Sequence, residues 1–245
     1  MGAVLLLVVL GALATSCGSS GSSSVIVLAA SSTTNVLQEI SSSAEAADPQ
    51  LDIELVVAGS PSLIAQLESG VEAQILVTAD EATMSRAMVG GRIFETPVVI
   101  ATNSLVLALA PGNPGAITGL ADLTDASLLI GSCAIDVPCG ALAARAAGEL
   151  GLTIAADTEE LNVRSLATKI KLGEVDAGLV YRTDAESIGL DIIDTTDTRR
   201  LDSYVNEYSL ALIGELPSGQ ARAVADLLTG DAGRQILEKA GFGQP

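Results

Sequence analysis

The sequence predicts an α/β fold, and three observations carry that prediction. Short apolar runs alternate with amphipathic stretches from Val25 onward, glycines stand where several amphipathic stretches stop, and 49% of the 245 residues are hydrophobic, enough to bury a sizeable core. Val25 to Ala29 reads as the first strand. Thr34 to about Ala47 reads as a helix with Val36, Leu37, Ile40 and Ala44 on one side. Ile53 to Val57 is the next strand. Ser60-Pro61 opens a second helix, with Ser60 suited to the N-cap, Pro61 to the first helical position, and Gly70 to the stop. Ile75 to Val77 is a third strand, and Asp80 caps the helix after it. Strands at Leu105 to Ala110 and Leu128 to Ile130 follow, then a helix from about Gly140 to Leu150 ended by Gly151. A helix over Val163 to Leu172, stopped by Gly173, precedes the strand Ala177 to Tyr181. A strand at Tyr208 to Ile213 and helices at about Ser218 to Leu228 and Ala232 to Ala240 complete the chain. No Pro/Gly/Ser linker divides it after Val25, and no internal repeat is visible.

Residues 1–24 stand apart from this body. Ala3 to Ala14 is an apolar run too short for a bilayer span of about 20 residues, but suited to the core of a signal peptide. Ala14-Thr15-Ser16-Cys17 after it resembles a bacterial lipobox, with Cys17 as the lipidated residue. The Gly/Ser stretch Gly18 to Ser24 suits a tether. Leu13 lies one place early for that motif, and no Lys or Arg precedes the apolar run. The alternative is an ordinary cleaved signal with an incidental cysteine.

Thirty acidic against 12 basic residues give a net charge of −18, which excludes a nucleic-acid-binding patch. The complete absence of histidine excludes Ser-His-Asp and Cys-His catalysis and histidine-ligated zinc. Cys133 and Cys139, with five residues between them, suit a local disulfide in an exported chain; two free, partly buried thiols are the alternative.

Three loops place small hydroxyl or glycine residues where a strand ends and a helix begins: Ala29 to Asn35, Ala58 to Ser62, and Asp136 to Gly140. Unpaired N–H groups at a helix N-terminus can bind an anion without any charged side chain. Singly, each loop reads equally well as an ordinary helix cap.

Taken together, Ala29-Ala30-Ser31-Ser32-Thr33-Thr34-Asn35, Ala58-Gly59-Ser60 with Leu63 to Gly70, Thr78-Ala79-Asp80, and Gly178 to Ala185 resemble, in order and spacing, the molybdate-binding proteins of ABC-type importers. The resemblance runs from Val25 to Gly241. It implies a two-lobed, periplasmic-binding-protein-like fold (type II) with a ligand cleft between the lobes. Residues 25–102 and 206–245 are expected in lobe 1 and 103–205 in lobe 2. It further implies molybdate or tungstate as ligand, held by neutral donors: the hydroxyls of Ser32 and Ser60, backbone N–H groups at Cys139 and Val163, and the hydroxyl of Tyr181. Ser31 is a substitute for Ser32. The implied partner is the importer's transmembrane permease, with the protein a monomer outside the cytoplasm, anchored to the membrane by lipid. No cofactor and no direct metal-ion ligand is implied. Pro61, Cys139 and Ser209 depart from the family's usual residues, and Arg164 and Arg182 flank the expected site.

Three other functions compete. Another anion, such as sulfate, phosphate or an organic anion, fits the same fold. An enzyme is disfavoured, because no Asp/Glu pair stands near the Ser/Tyr loops and no Ser-x-x-Lys motif occurs. An adhesion or sensor domain on a borrowed fold is the third.

Overall fold

A computed structural model describes residues 24–154 and 156–245; the expected signal peptide, Cys17 and most of the Gly/Ser tether lie outside the described residues. Nine strands and eight α-helices alternate along the described chain: β1 (Val25–Ala30), α1 (Thr34–Ala47), β2 (Ile53–Ala58), α2 (Ser60–Glu68), β3 (Ile75–Thr78), α3 (Glu81–Val89), β4 (Val98–Leu109), β5 (Ile130–Cys133), α4 (Pro138–Leu150), β6 (Ala156–Glu160), α5 (Val163–Leu172), β7 (Ala177–Tyr181), α6 (Arg182–Ile188), β8 (Asp191–Ile192), β9 (Val205–Leu212), α7 (Gly219–Thr229) and α8 (Asp231–Lys239). A 3₁₀ turn at Ser31–Thr33 leads from β1 into α1.

The strands run in the order β2-β1-β3-β9-β4-β7-β5-β6, with β8 beside β4. β1 pairs parallel with β2 and β3, and β5 pairs parallel with β6 and β7. These two parallel halves are joined through antiparallel β4 and β9. Residues 98–104 of β4 pair with β9, while 105–109 pair with β7, so one strand passes from the first half to the second.

Local chemistry accounts for the helix ends. Asp80, Asn162 and Ser218 each accept a backbone N–H in the first turn of the helix they cap. Gly151 and Gly173 take left-handed conformations, with φ of 71° in each, where α4 and α5 stop.

Apolar faces pack into two clusters. The larger is continuous through both halves and includes Val36, Leu37 and Ile40 of α1, Leu105 and Leu107 of β4, and Leu166 and Ile170 of α5. The smaller lies under α2 and α3, where Leu63, Ile64, Leu67 and Met84 meet Leu28 and Leu76. At about 25 cal/mol per Å² of apolar surface removed from water, each fully buried leucine here contributes about 1.5–3 kcal/mol.

Several expectations need correction. Ser60 is the first residue of α2, not its cap; Gly59, extended at φ −62° and ψ 142°, occupies the cap position, and Pro61 tolerates the second helical position because no intrahelical N–H bond is needed there. The strand expected at Leu128 to Ile130 begins only at Ile130 and runs to Cys133, because Leu128 closes a turn onto Asp125. β4 starts at Val98, seven residues before the expected strand, and its polar half Thr102–Ser104 is held by pairing to β9.

Candidate functional site

All six strands of the parallel halves end at one cavity. Ala30 ends β1 and Ser31 and Ser32 follow it, Gly59 and Ser60 follow β2, and Ala79 follows β3. Val137, Pro138 and Cys139 follow β5, Asn162 and Val163 follow β6, and Tyr181 is the last residue of β7. A crevice at the carboxyl ends of parallel strands is where α/β sheets bind ligands, because loops and helix N-termini converge there. The cavity is small, a size that suits a compact ion better than a sugar or a peptide.

The five residues expected from sequence, Ser32, Ser60, Cys139, Val163 and Tyr181, all line this cavity, and so does Ser31. Ser60, Cys139 and Val163 lie in the first turns of α2, α4 and α5, where backbone N–H groups have no intrahelical acceptor. Three helix N-termini opening on one point present roughly 1.5 positive elementary charges. No charged side chain lines the cavity among the described residues. Both cations expected to flank the site are engaged elsewhere: Arg182 pairs with Asp202 at 2.9 Å, and Arg164 donates to Asn35 Oδ1 at 2.6 Å, bridging α5 and α1.

The hydroxyls carry partners behind them. Ser60 Oγ accepts the N–H of Ala79 at 3.2 Å. Tyr181 Oη accepts from Asn206 Nδ2 at 2.7 Å, and Asn206 Nδ2 also donates to the Pro138 carbonyl at 3.1 Å. Ser32 Oγ is 2.8 Å from Tyr208 Oη, which lies 3.4 Å from Asn103 Nδ2. Burial pushes the hydroxyl pKa of both tyrosines well up, so both stay protonated. Tyr181 and Tyr208 pack edge to face with centroids 6.0 Å apart, and Tyr208 meets Phe242 in the same way at 5.4 Å. Sequence reasoning missed Asn103, Asn206 and Tyr208. One signal was available: the chain has only three tyrosines and no tryptophan or histidine, so each tyrosine is a scarce polar aromatic.

Beneath this layer, Asp184 is buried without a hydrogen-bond partner, and burial raises its carboxyl to about 7 despite the opposing influence of Arg164. The sulfurs of Cys133 and Cys139 are bonded, tying the end of β5 to the first turn of α4 across a Cα–Cα distance of 5.9 Å. Gly59 fits against the turn after β6: a Cβ there would lie 2.2 Å from the carbonyl oxygen of Leu161.

Residues 25–243 match the family described as bacterial extracellular solute-binding protein. The chain belongs to that family. It is a binding protein and not an enzyme, with the two-lobed α/β fold of periplasmic binding proteins. Among curated relatives, the molybdate-binding protein ModA of Mycobacterium tuberculosis is 33% identical over 210 residues, covering 84% of this chain and 79% of that protein. Among solved structures, the periplasmic molybdate-binding protein of Azotobacter vinelandii superposes with a TM-score of 0.73 at 16% identity, over 90% of this chain and 99% of that one. The sulfate-binding protein SubI of Mycobacterium tuberculosis superposes with a TM-score of 0.66 at 13% identity, over 89% and 86% of the two chains. These two structural likenesses speak to fold alone, so the ligand has to be argued from the site.

Proposed function

We propose that this solute-binding protein captures molybdate, with tungstate as the closely similar alternative, and delivers it to the permease of an ABC-type importer. The observation that carries the reading is the convergence of six strand ends on a small cavity lined by neutral donors and no charged group. A divalent tetrahedral oxyanion there is stabilised by hydroxyl and backbone N–H donors, each charge-assisted bond contributing about 1.5–3 kcal/mol, and by the three helix N-termini. The donors are the hydroxyls of Ser32, Ser60 and Tyr181 and the N–H groups of Cys139 and Val163. Attraction is thus local, which reconciles anion binding with a net charge of −18. The 33% identity to a molybdate-binding protein supports molybdate over other oxyanions.

Residues 25–102 with 206–245 form one lobe and 103–205 the other, closing over the ion. The protein works as a monomer outside the cytoplasm, its signal peptide removed and Cys17 lipidated, with the Gly/Ser tether holding it off the membrane. A second reading, sulfate or phosphate as the cargo, rests on the same neutral donor set, which suits any compact tetrahedral oxyanion; the small cavity disfavours a larger organic anion.

Isothermal titration of the purified protein with molybdate, tungstate, sulfate and phosphate tests the proposal. It predicts one-to-one binding of molybdate or tungstate with little heat from the other two, weakened about 10- to 150-fold in Ser60→Ala and Tyr181→Phe. Binding of sulfate or phosphate instead would select the second reading, and no binding of any of the four would sink both.

A further inference from the structure

We infer that the edge of the β1–β3 half farthest from the cavity is a membrane-resting surface, and that its occupant is the lipid bilayer to which Cys17 tethers the chain. The inference rests on the reading of Cys17 as a lipid anchor and goes beyond it, by assigning the face of the protein that meets the membrane.

This edge is apolar where the fold does not require it. Val71, Met88, Val89, Phe94, Val98 and Leu216 are all exposed, with 89% of Val89, 59% of Phe94 and 92% of Leu216 open to solvent. They are scattered in sequence, yet hydrogen bonds gather their segments. The Gly214 N–H donates to the Arg92 carbonyl at 2.8 Å, and Arg92 Nη1 donates to the carbonyls of Leu67 and Val71 at 3.0 and 3.1 Å. Arg222 of α7 pairs with Glu95. The turn after α2, the connection from α3 to β4 and the connection from β9 to α7 therefore meet at one edge. Single apolar residues are ordinary on a protein surface, whereas a gathered set marks a contact face. Ion capture does not explain this one. The cavity lies at the carboxyl ends of β1 and β3, while Val71 precedes β3 and Leu216 follows β9, which runs antiparallel to β3.

The chain enters the fold at the same edge. The Gln74 N–H donates to the Ile26 carbonyl at 2.9 Å, the Ile26 N–H donates to Gln74 Oε1 at 2.7 Å, and the Ile213 N–H donates to the Gln74 carbonyl at 2.9 Å. With neighbouring strands about 4.8 Å apart, β1 begins on the order of 10 Å from Ile213. Only the seven residues Gly18 to Ser24 separate Val25 from Cys17. A Gly/Ser segment of that length spans about 15 Å on average and about 25 Å at full stretch. A lipid on Cys17 thus holds this edge close to the bilayer, at a local concentration where weak insertion of a few apolar side chains is enough. The contact has to be apolar, because a net charge of −18 sets the protein as a whole against an anionic lipid surface. Resting on this edge leaves the cavity, at the opposite ends of the strands, clear of the bilayer.

The chain has no tryptophan, so a single introduced one reports its own surroundings. The test takes the chain from Cys17 onward, its Cys17 thiol coupled to maleimide-bearing lipid in phosphatidylcholine vesicles; Cys133 and Cys139 are bonded to each other and do not compete. Phe94→Trp and Leu216→Trp are compared with Leu172→Trp, also exposed but at the end of α5 in the other half. On anchoring, the first two should emit at shorter wavelength and lose about twofold or more of their emission to brominated lipid, while Leu172→Trp stays unchanged. Equal quenching at all three positions, or none at Phe94→Trp and Leu216→Trp, overturns the inference. A shift that follows protein concentration without vesicles assigns the face to a second copy of the chain and overturns it as well. Mass spectrometry of the chain recovered from its own membranes reads Cys17 separately. An unmodified Cys17 overturns the anchor reading and this inference with it, whereas a lipidated Cys17 with unquenched tryptophans overturns this inference alone.

Discussion

Replacing Gly59 with alanine separates closure of the cleft from folding of the chain. Gly59 has φ −62° and ψ 142°, a conformation open to any residue, so glycine is required there by space and not by backbone geometry. The added Cβ would meet the Leu161 carbonyl oxygen at 2.2 Å and the Asn162 Cβ at 3.5 Å. Leu161 belongs to the turn after β6, in the opposite parallel half, and its carbonyl is backbone that cannot rotate aside. Contacts of this kind do not fall below 3.0 Å, so the two loops have to part by about 0.8 Å. Overpacking of this size costs about 1–3 kcal/mol, and on the proposed closure of the two lobes the cost falls on the closed state. A penalty of about 2 kcal/mol corresponds to about thirtyfold weaker binding. Titration with molybdate reads the affinity, and thermal unfolding without ligand reads the fold. Unchanged affinity would refute the closure argument. A matching loss of ligand-free stability would show that Gly59 serves folding instead.

Three further outcomes follow from the same structure. The double variant Cys133→Ser, Cys139→Ser should lose about 2 kcal/mol of stability, as expected for a loop of this length, and melt about 4–8 °C lower; an unchanged melting temperature would mean the bridge does not form in solution. Asp184 titrates near 7 when folded and near 3.9 when unfolded, so between those values the native chain holds a proton that the unfolded chain has released. Its contribution therefore falls as pH rises from about 4 to 7, by on the order of 4 kcal/mol, and Asp184→Asn should flatten that slope in urea unfolding and stabilise the protein at pH 8; parallel parent and variant curves would contradict this. Arg164 is a cation whose partner across the cleft is the neutral Asn35, so Arg164→Gln should slow association with molybdate several-fold at low salt, with the difference shrinking as salt rises; rates equal at all ionic strengths would exclude a steering role.

Much of the fold was legible because local chemistry and tertiary structure agree. The runs Val25 to Ala29, Ile53 to Val57 and Ala177 to Tyr181 are mostly apolar, and the cap Asp80 and stops Gly151 and Gly173 mark helix ends without reference to the rest of the chain. What escaped lacks such signals. β6, Ala-Asp-Thr-Glu-Glu, is a mostly exposed edge strand with no apolar pattern, held by pairing to β5. α6 starts directly after Tyr181 with no turn residue between strand and helix, and β8 is only two residues long. The expected site residues were visible only through the family resemblance, because singly the small-residue loops after β1, β2 and β5 read as ordinary helix caps and Val163 and Tyr181 as core. Asn103, Asn206 and Tyr208 were not, because β4 and β9 bring them behind the hydroxyls only once the antiparallel centre of the sheet has formed. Ser60 was assigned a capping role for a similar reason: the partner of its hydroxyl, the Ala79 N–H, is 19 residues away in sequence.

The central claim is that an oxyanion sits where the six parallel strand ends meet, held by neutral donors. Anomalous scattering from molybdenum in crystals grown with molybdate tests it most directly. The account predicts a single strong peak inside the cavity, within hydrogen-bonding reach of the Ser32, Ser60 and Tyr181 hydroxyls and the Cys139 and Val163 N–H groups. A peak elsewhere on the protein, or an ion paired with a charged side chain, would contradict it.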